Sequence, residues 1–325
     1  MSSPSQVPME IPQANNKALE AQFQSKVNAL FMQGIALHQQ GQLLQANEIY
    51  SRVLAMQPTH FDALHLSGLI YAQSRNLVLA LELLSKAINI KPDFAHALSN
   101  RGNVLKELKR FEEALTSYDS AISIKPDFAD AYYNRGIALK ELKRVEDAIA
   151  SYDRAIEIKP DYAEAWNNRG NALTELKREE EAVANYKRAI EIMPDFAEAY
   201  YNRGNALKEL MRMEDALACF DKSIEVKPDY AEAYWNKSLS LLLSGDFVRG
   251  WNLYEWRWKK EDTLENKRNF LQPLWLGVED IADKTILLHA EQGLGDTIQF
   301  CRYAKLVKER GARLLLEVPK ALLAC

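Results

Sequence analysis

Five asparagines recur at one fixed interval: Asn100, Asn134, Asn168, Asn202 and Asn236, each thirty-four residues after the last. Asparagine is a poor helix former, so five of them in register inside apolar-periodic segments need a reason. A carboxamide offers two N–H donors and a carbonyl acceptor, the complement of a peptide group. A row of them can therefore pair with the backbone of an extended chain without reading its side chains. Asn103, Asn171 and Asn205 lie three residues further on and widen the same stripe. The alternative is a solvated stripe copied by duplication. A second candidate is Asp296, which ends the glycine turn Gly293-Leu294-Gly295-Asp296. By itself it reads as a helix cap, with Gln299 three residues on completing a capping box. The histidines His38, His60, His65, His96 and His289 have no zinc-type spacing, and no serine elbow or P-loop is present. The reading is of a binding protein with no metal and no cofactor.

The elements that carry the asparagines follow from the same interval. Pro58, Pro92, Pro126, Pro160, Pro194 and Pro228 keep it, as do Gly34, Gly68, Gly102, Gly136, Gly170 and Gly204, and Ala46, Ala80, Ala114, Ala148, Ala182 and Ala216. In residues 161–194, Trp166, Gly170 and Leu173 mark one face of a first helix, from about Ala163 to Leu176. Lys177-Arg178-Glu179 is a polar turn. Ala182, Tyr186, Ala189 and Ile190 face inward on a second helix that Pro194 stops. Gly170 is small so that the second helix approaches closely. Asp161 with Glu164, Asp195 with Glu198 and Asp229 with Glu232 read as capping boxes. One helix pair cannot bury its apolar face alone, whereas seven in a row bury a continuous core.

A thirty-four-residue period with these proline, glycine and alanine markers resembles the tetratricopeptide repeat (TPR), over residues 27 to about 262. The resemblance implies an all-α, right-handed superhelix of about seven helix-turn-helix repeats, an α-solenoid. First helices would line its concave wall and second helices its outside. The asparagine row is similar to that of the O-GlcNAc transferases, whose inner-face asparagines hold substrate backbone. That likeness assigns peptide binding to Asn100, Asn134, Asn168, Asn202 and Asn236. Arg101, Arg135, Arg169, Arg203 and Lys237 follow the row, and each is expected to pair with a nearby acid and cover apolar surface with its stem. Phe31, Met32, Ile35, Leu66 and Leu69 make the first two repeats apolar where later ones are polar. They are expected to pack on a helix formed by residues 17–26 or on a second chain, which would make a homodimer through the N-terminal repeats.

The seventh unit departs: Ser238 stands for the glycine, Gly250 for the alanine and Asp262 for the proline. Phe247, Trp251, Tyr254 and Trp258 still form one apolar helix face. Beyond it, Thr285–Ala290 reads as a strand, Thr297–Arg310 as a helix with Ile298, Cys301, Ala304 and Leu306 inward, and Arg313–Val318 as a second strand. Tyr254-Glu255-Trp256-Arg257-Trp258, Ile286-Leu287-Leu288-His289-Ala290 and the glycine turn together resemble proteins in which such repeats precede a two-lobed, heptosyltransferase-like (GT-B) glycosyltransferase domain. That resemblance makes Asp296 the candidate base. As far as Cys325 the chain holds only roughly 40 residues of this Rossmann-like α/β fold, so no glycosyl transfer is expected of it. The expected organisation is a disordered tail at 1–16, repeats at 17–262, and a linker with a truncated strand–helix–strand at 263–325.

Composition sets the bounds. The 325 residues carry 41 basic and 45 acidic side chains, a formal net charge of −4, which gives no field for wrapping nucleic acid. Hydrophobic residues at 47% and charged ones at 26% exclude a disordered chain. Cys219, Cys301 and Cys325 are too few and scattered for a disulfide framework, and no run is long enough to span a bilayer. The sequence thus predicts a cytoplasmic scaffold for protein or peptide partners.

Overall fold

The computed structural model describes residues 13–260, 268, 270–291 and 293–322. The chain divides into two compact units, Met1–Glu265 and Asn266–Cys325.

The first unit is a run of seven helix pairs: α1 (Gln13–Gln39) with α2 (Leu43–Met56), α3 (Phe61–Gln73) with α4 (Leu77–Ile90), α5 (Ala95–Glu107) with α6 (Phe111–Ile124), α7 (Ala129–Glu141) with α8 (Val145–Ile158), α9 (Ala163–Glu175) with α10 (Glu179–Ile192), α11 (Ala197–Glu209) with α12 (Met213–Val226), and α13 (Ala231–Leu243) with α14 (Phe247–Tyr254). Each of the first six second helices ends two residues before its proline, with a single residue between. Lys91, Lys125, Lys159, Met193 and Lys227 all adopt extended backbone there, as at Lys91 (φ −132°, ψ 84°), because the proline ring disfavours the helical region for its predecessor. Within each pair the chain reverses through one left-handed residue: Gly41 and Gly245 in the outer pairs, but Arg75, Lys109, Lys143, Lys177 and Met211 between them.

A column of rings fills the core. Tyr50, Tyr118, Tyr152, Tyr186 and Phe220 are fully buried, each against the glycine of the first helix. A Cβ on Gly170 would stand 2.6 Å from the Tyr186 ring, which is why that position is glycine. The seventh pair keeps the close approach by exchanging the two markers. Gly250 takes the small position on α14, and Ser238 Oγ on α13 donates to the Gly250 carbonyl at 2.9 Å.

Three expectations change here. The capping boxes do not form. The residue entering α5, α7, α9, α11 and α13 is an aromatic, Phe94, Phe128, Tyr162, Phe196 and Tyr230 in turn, with no side-chain cap. Asp161 lies one residue too early and offers its carbonyl, not its carboxylate, to Ala163 N at 3.1 Å. Burial of the ring on the preceding repeat, as for Tyr162 on Tyr133 at 4.8 Å, outweighs one capping bond. Next, residues 17–26 belong to the continuous helix α1 and so cannot fold back on Phe31 and Met32; Met32 is 62% exposed. Of the expected tail, residues 1–12 lie outside the described residues, and α1 begins at Gln13. Finally, α14 ends at Tyr254 and a 3₁₀ turn, Glu255–Lys259, follows, so Trp258 leaves the expected helix face. Phe247 and Trp251 stay more than half exposed, while Trp256 stacks on Tyr234 at 3.7 Å and Arg257 is buried between the Tyr254 and Trp258 rings.

The second unit holds β1 (Thr285–His289) and β2 (Arg313–Glu317), paired in parallel from Thr285 opposite Arg313 to His289 opposite Glu317. Two short helices join them, α15 (Leu294–Cys301) and α16 (Ala304–Glu309), where one was expected. Its small core is Ile281, Val307 and Ala312, with Trp275, Ile286, Leu288 and Leu314 packed on it. Ile298 and Leu306, expected inward, are 58% and 53% exposed; the first of the two helices buries no residue, and the second, after the break, turns Val307 inward instead of Leu306. No described helix is long and apolar enough to cross a membrane.

Candidate functional site

The asparagine row is assembled by stacking, one rung per repeat. Asn100 lies within hydrogen-bond distance of His65 on α3, with Nδ2 and Nε2 3.0 Å apart. Asn168 Nδ2 donates to Tyr133 Oη on α7 at 3.0 Å, and Asn202 Nδ2 donates to Asn167 Oδ1 on α9 at 3.1 Å. Asn236 Nδ2 donates to Tyr201 Oη on α11 at 2.9 Å. In each case the partner is thirty-five residues earlier, one repeat plus one residue. Asn134 differs because the residue at that offset is Ser99. Its Nδ2 turns back to the Asp130 carbonyl at 2.9 Å, and its Oδ1 accepts from Lys106 Nζ at 2.6 Å. Lys208 approaches Asn236 in the same way at 3.4 Å. All five asparagines are half-buried, and the first helices form one polar wall.

Each amide plane is thus fixed by the neighbouring repeat. In Asn168 and Asn202 one N–H is spent on that bond. Among the described residues, the second N–H and Oδ1 of these two side chains have no protein partner. Burial pushes the Tyr133 hydroxyl up to about 12, with the Glu164 and Glu198 charges adding to the effect, so it stays a neutral acceptor for Asn168 at every physiological pH. Burial likewise lowers the His65 pKa, so the ring facing Asn100 favours its neutral form. The wall is a set of oriented, uncharged amides, suited to hydrogen bonding and not to proton transfer.

The residues one position before the asparagine column, His65 before Leu66 and Tyr133, Asn167 and Tyr201 before asparagines, were missed by sequence reasoning. Their signal was the thirty-five-residue offset, which a search for identical columns does not test. The widening stripe proves to be buttressing. Tyr118 Oη donates to Asn103 Oδ1, and Tyr186 Oη to Asn171 Oδ1, both at 2.8 Å. Asn205 faces Phe220, and its Oδ1 is buried without a partner. In the fourth repeat the roles reverse: Ile137 stands for the asparagine, and the Tyr152 hydroxyl is left unpaired.

The arginine column pairs as expected at Arg135 with Asp119 (2.7 Å), Arg169 with Asp153 (2.6 Å) and Lys237 with Asp221. Arg101 and Arg203 do not follow. Ser85 replaces the first acid, and Arg101 Nε donates to Ser117 Oγ at 3.1 Å. Lys187 replaces the second, Cys219 replaces the serine, and Arg203 Nε is buried unpaired.

Asp296 is not a cap. Gly293 occupies the N-cap position of α15 without a side-chain bond, and Asp296 sits exposed inside the first turn, where its charge suits the helix dipole. No group of three His, Cys, Asp or Glu residues is placed to hold a metal among the described residues.

Family models described as TPR repeat match residues 102–143, 138–177 and 170–210, and models described as tetratricopeptide repeat match 31–95 and 197–230. The chain belongs to the tetratricopeptide repeat family, whose repeats support a protein–protein interaction scaffold. Among solved structures it is similar to a tetratricopeptide repeat protein from Parabacteroides merdae, at 18% identity and TM-score 0.60, over 74% of this chain and 96% of that one. PilF of Pseudomonas aeruginosa matches at 19% identity and TM-score 0.57, over 65% and 96%. YrrB, a TPR protein described as having an unusual peptide-binding site, matches at 24% identity and TM-score 0.49, over 58% and 97%. The likenesses to the first two show the fold. No curated protein matches the chain.

Proposed function

We propose that the protein is a scaffold whose concave wall, in a right-handed superhelix, binds an extended peptide segment of a protein partner through Asn100, Asn134, Asn168, Asn202 and Asn236. The observation that carries this reading is the fixed orientation of Asn168 and Asn202, each tied to the preceding repeat by one N–H, with a donor and an acceptor left over. A freely rotating amide loses entropy when it binds; a braced one has already lost it. Adjacent packed helices lie roughly 8–10 Å apart, so rungs meet an extended chain every few residues. Peptide selection from a random display library tests the reading. Asn168→Ala with Asn202→Ala should abolish enrichment while circular dichroism shows the helices intact. Equal enrichment on the double variant would refute it. The variant is also expected to lose some stability, since each asparagine braces a neighbouring repeat.

A second reading makes these repeats the acceptor-recognition region of a glycosyltransferase. It is favoured by the parallel β1–β2 pair joined through helices that open on Gly293-Leu294-Gly295-Asp296, as the start of a Rossmann-like lobe would be. A reading frame running past codon 325 into a second nucleotide-binding lobe would support it, and a stop codon there would remove it. Leu19, Phe23 and Met32, exposed on α1, support a homodimer through the N-terminal repeats, which light scattering on Met32→Glu tests. The free thiols of Cys219 and Cys301 fit a cytoplasmic setting.

A further inference from the structure

The repeats of this chain act as references for one another: three of them pair the basic residue after the asparagine with an acid sixteen residues earlier, a lysine takes the acid's place before Arg203, and before Arg101 the place falls to a small neutral residue. At Arg135 the guanidinium takes Asp119 with Nε at 2.7 Å and Ser151 Oγ with Nη1 at 2.7 Å. At Arg169 it takes Asp153 with Nε at 2.6 Å and Asn185 Oδ1 with Nη1 at 3.0 Å. In both, the carboxylate lies sixteen residues before the arginine. Sixteen residues before Arg101 is Ser85. There the arginine has turned, Nε has moved onto Ser117 Oγ, and a cavity of about 250 Å³ opens between α4, α5 and α6.

Leu81 and Leu105 supply the apolar part of its lining, and Ser85, Thr116, Ser117 and Arg101 the polar part. The Thr116 and Ser117 hydroxyls already donate to the carbonyls of Glu112 and Glu113. That leaves the Arg101 Nη groups and the Ser85 hydroxyl as donors. Glu113 also borders the cavity, but Arg110 holds it through two bonds, at 2.6 and 2.7 Å. Two guanidiniums therefore face one carboxylate, and the unmatched charge is positive. The site is separate from the asparagine wall, because Asn100 faces α3 while Arg101 faces α4 and α6.

We infer that this cavity binds a carboxylate on a short aliphatic stem, as on the glutamate side chain of a docked partner, which takes the place that aspartate holds in the neighbouring repeats. The stem lies between Leu81 and Leu105, and the oxygens accept from Arg101 and Ser85. The volume suits one side chain; drug-sized ligands need about 300 Å³ or more.

The test follows the Arg101 Nε–H resonance of the full chain during titration with N-acetyl-glutamate-N-methylamide, its glutamine analogue and glutarate. The expected result is a saturable shift with the glutamate compound, none with glutamine, and an unmoved Arg135 Nε–H, which already has its aspartate. Ser85→Asp supplies the carboxylate from within, so it should weaken binding at least about tenfold and raise the melting temperature. Tighter binding of glutarate than of the blocked glutamate would assign the site to free small diacids, and the reverse to a partner's side chain; either supports the cavity. The inference is overturned if Arg101 and Arg135 shift alike, if glutamine matches glutamate, or if Ser85→Asp folds and binds as well as the parent.

Discussion

Substituting Phe220 by tyrosine should stabilise the protein, although it places a hydroxyl in a fully buried position. The third and fifth repeats show where that hydroxyl goes, because Tyr118 and Tyr186 each donate at 2.8 Å to the asparagine beside the helix glycine. The ring geometry is conserved along the stack: a Cβ on the glycine would meet the ring at 2.5 Å in the third repeat, 2.6 Å in the fifth and 2.6 Å at Phe220. The new hydroxyl therefore projects onto Asn205 Oδ1, which is buried and unpaired. A net hydrogen bond contributes about 0.5–1.5 kcal/mol, and leaving a buried acceptor unpaired costs about 1–3 kcal/mol. Against this stands the desolvation of the phenol, so the expected gain is about 1–2 kcal/mol. Tyr118→Phe should cost about the same, since it orphans Asn103 as Asn205 is orphaned now. Ile137→Asn, which gives Tyr152 its missing acceptor, should be nearly neutral, because the bond gained offsets about 1–2 kcal/mol of apolar burial lost. Urea denaturation followed by circular dichroism reads all three, with an unchanged m-value confirming that the cooperative unit is the same. A midpoint for Phe220→Tyr at or below the parent, with Tyr118→Phe unchanged, would refute the reasoning.

Three further outcomes are expected. Gly170→Ala puts a methyl 2.6 Å from the Tyr186 ring and should cost about 1–3 kcal/mol, read as a lowered melting temperature. Met211→Gly relieves a left-handed residue (φ 59°) whose side chain is 76% exposed, and should stabilise by about 0.5–1 kcal/mol in the same assay; a loss would show that the methionine makes contacts worth more than the strain. Alkaline titration should unfold the stack. Tyr186 is raised from 10.0 to about 12 and Tyr118 and Tyr152 are raised further, all chiefly by burial, so their contribution is complete below pH 10 and lost as pH climbs through the folded values. Absorbance at the phenolate band should rise together with loss of helix, and buried tyrosines ionising near pH 10 with the helices intact would contradict this.

The repeat was legible because its three markers have mechanical causes that leave fixed traces: proline ends a helix, glycine admits a ring, and alanine lets helices touch. The capping boxes were misread because aspartate before a helix is a local signal, whereas the aromatic after it is buried by the preceding repeat, a tertiary effect absent from a single unit. The same blindness hid His65, Tyr133, Asn167 and Tyr201. Sequence analysis aligns equivalent positions, but rungs form between non-equivalent ones, thirty-five residues apart. In the second unit the parallel strands were legible from two apolar runs, Ile286–Leu288 and Leu314–Leu316. The break after Cys301 was not, since no glycine or proline marks it.

The central claim is that the wall grips peptide backbone, so the most direct measurement is calorimetric titration of one selected peptide and a series of its analogues, each methylated at a single backbone nitrogen. The account predicts that methylation at the positions facing Asn168 and Asn202 weakens binding by about tenfold each, the effect of roughly one lost hydrogen bond to an oriented amide, and that alanine substitution of the peptide side chains there changes little. The methylated analogues should also lose nothing further on the Asn168→Ala and Asn202→Ala variant. Affinity that survives every backbone methylation but falls when side chains are truncated would contradict the account.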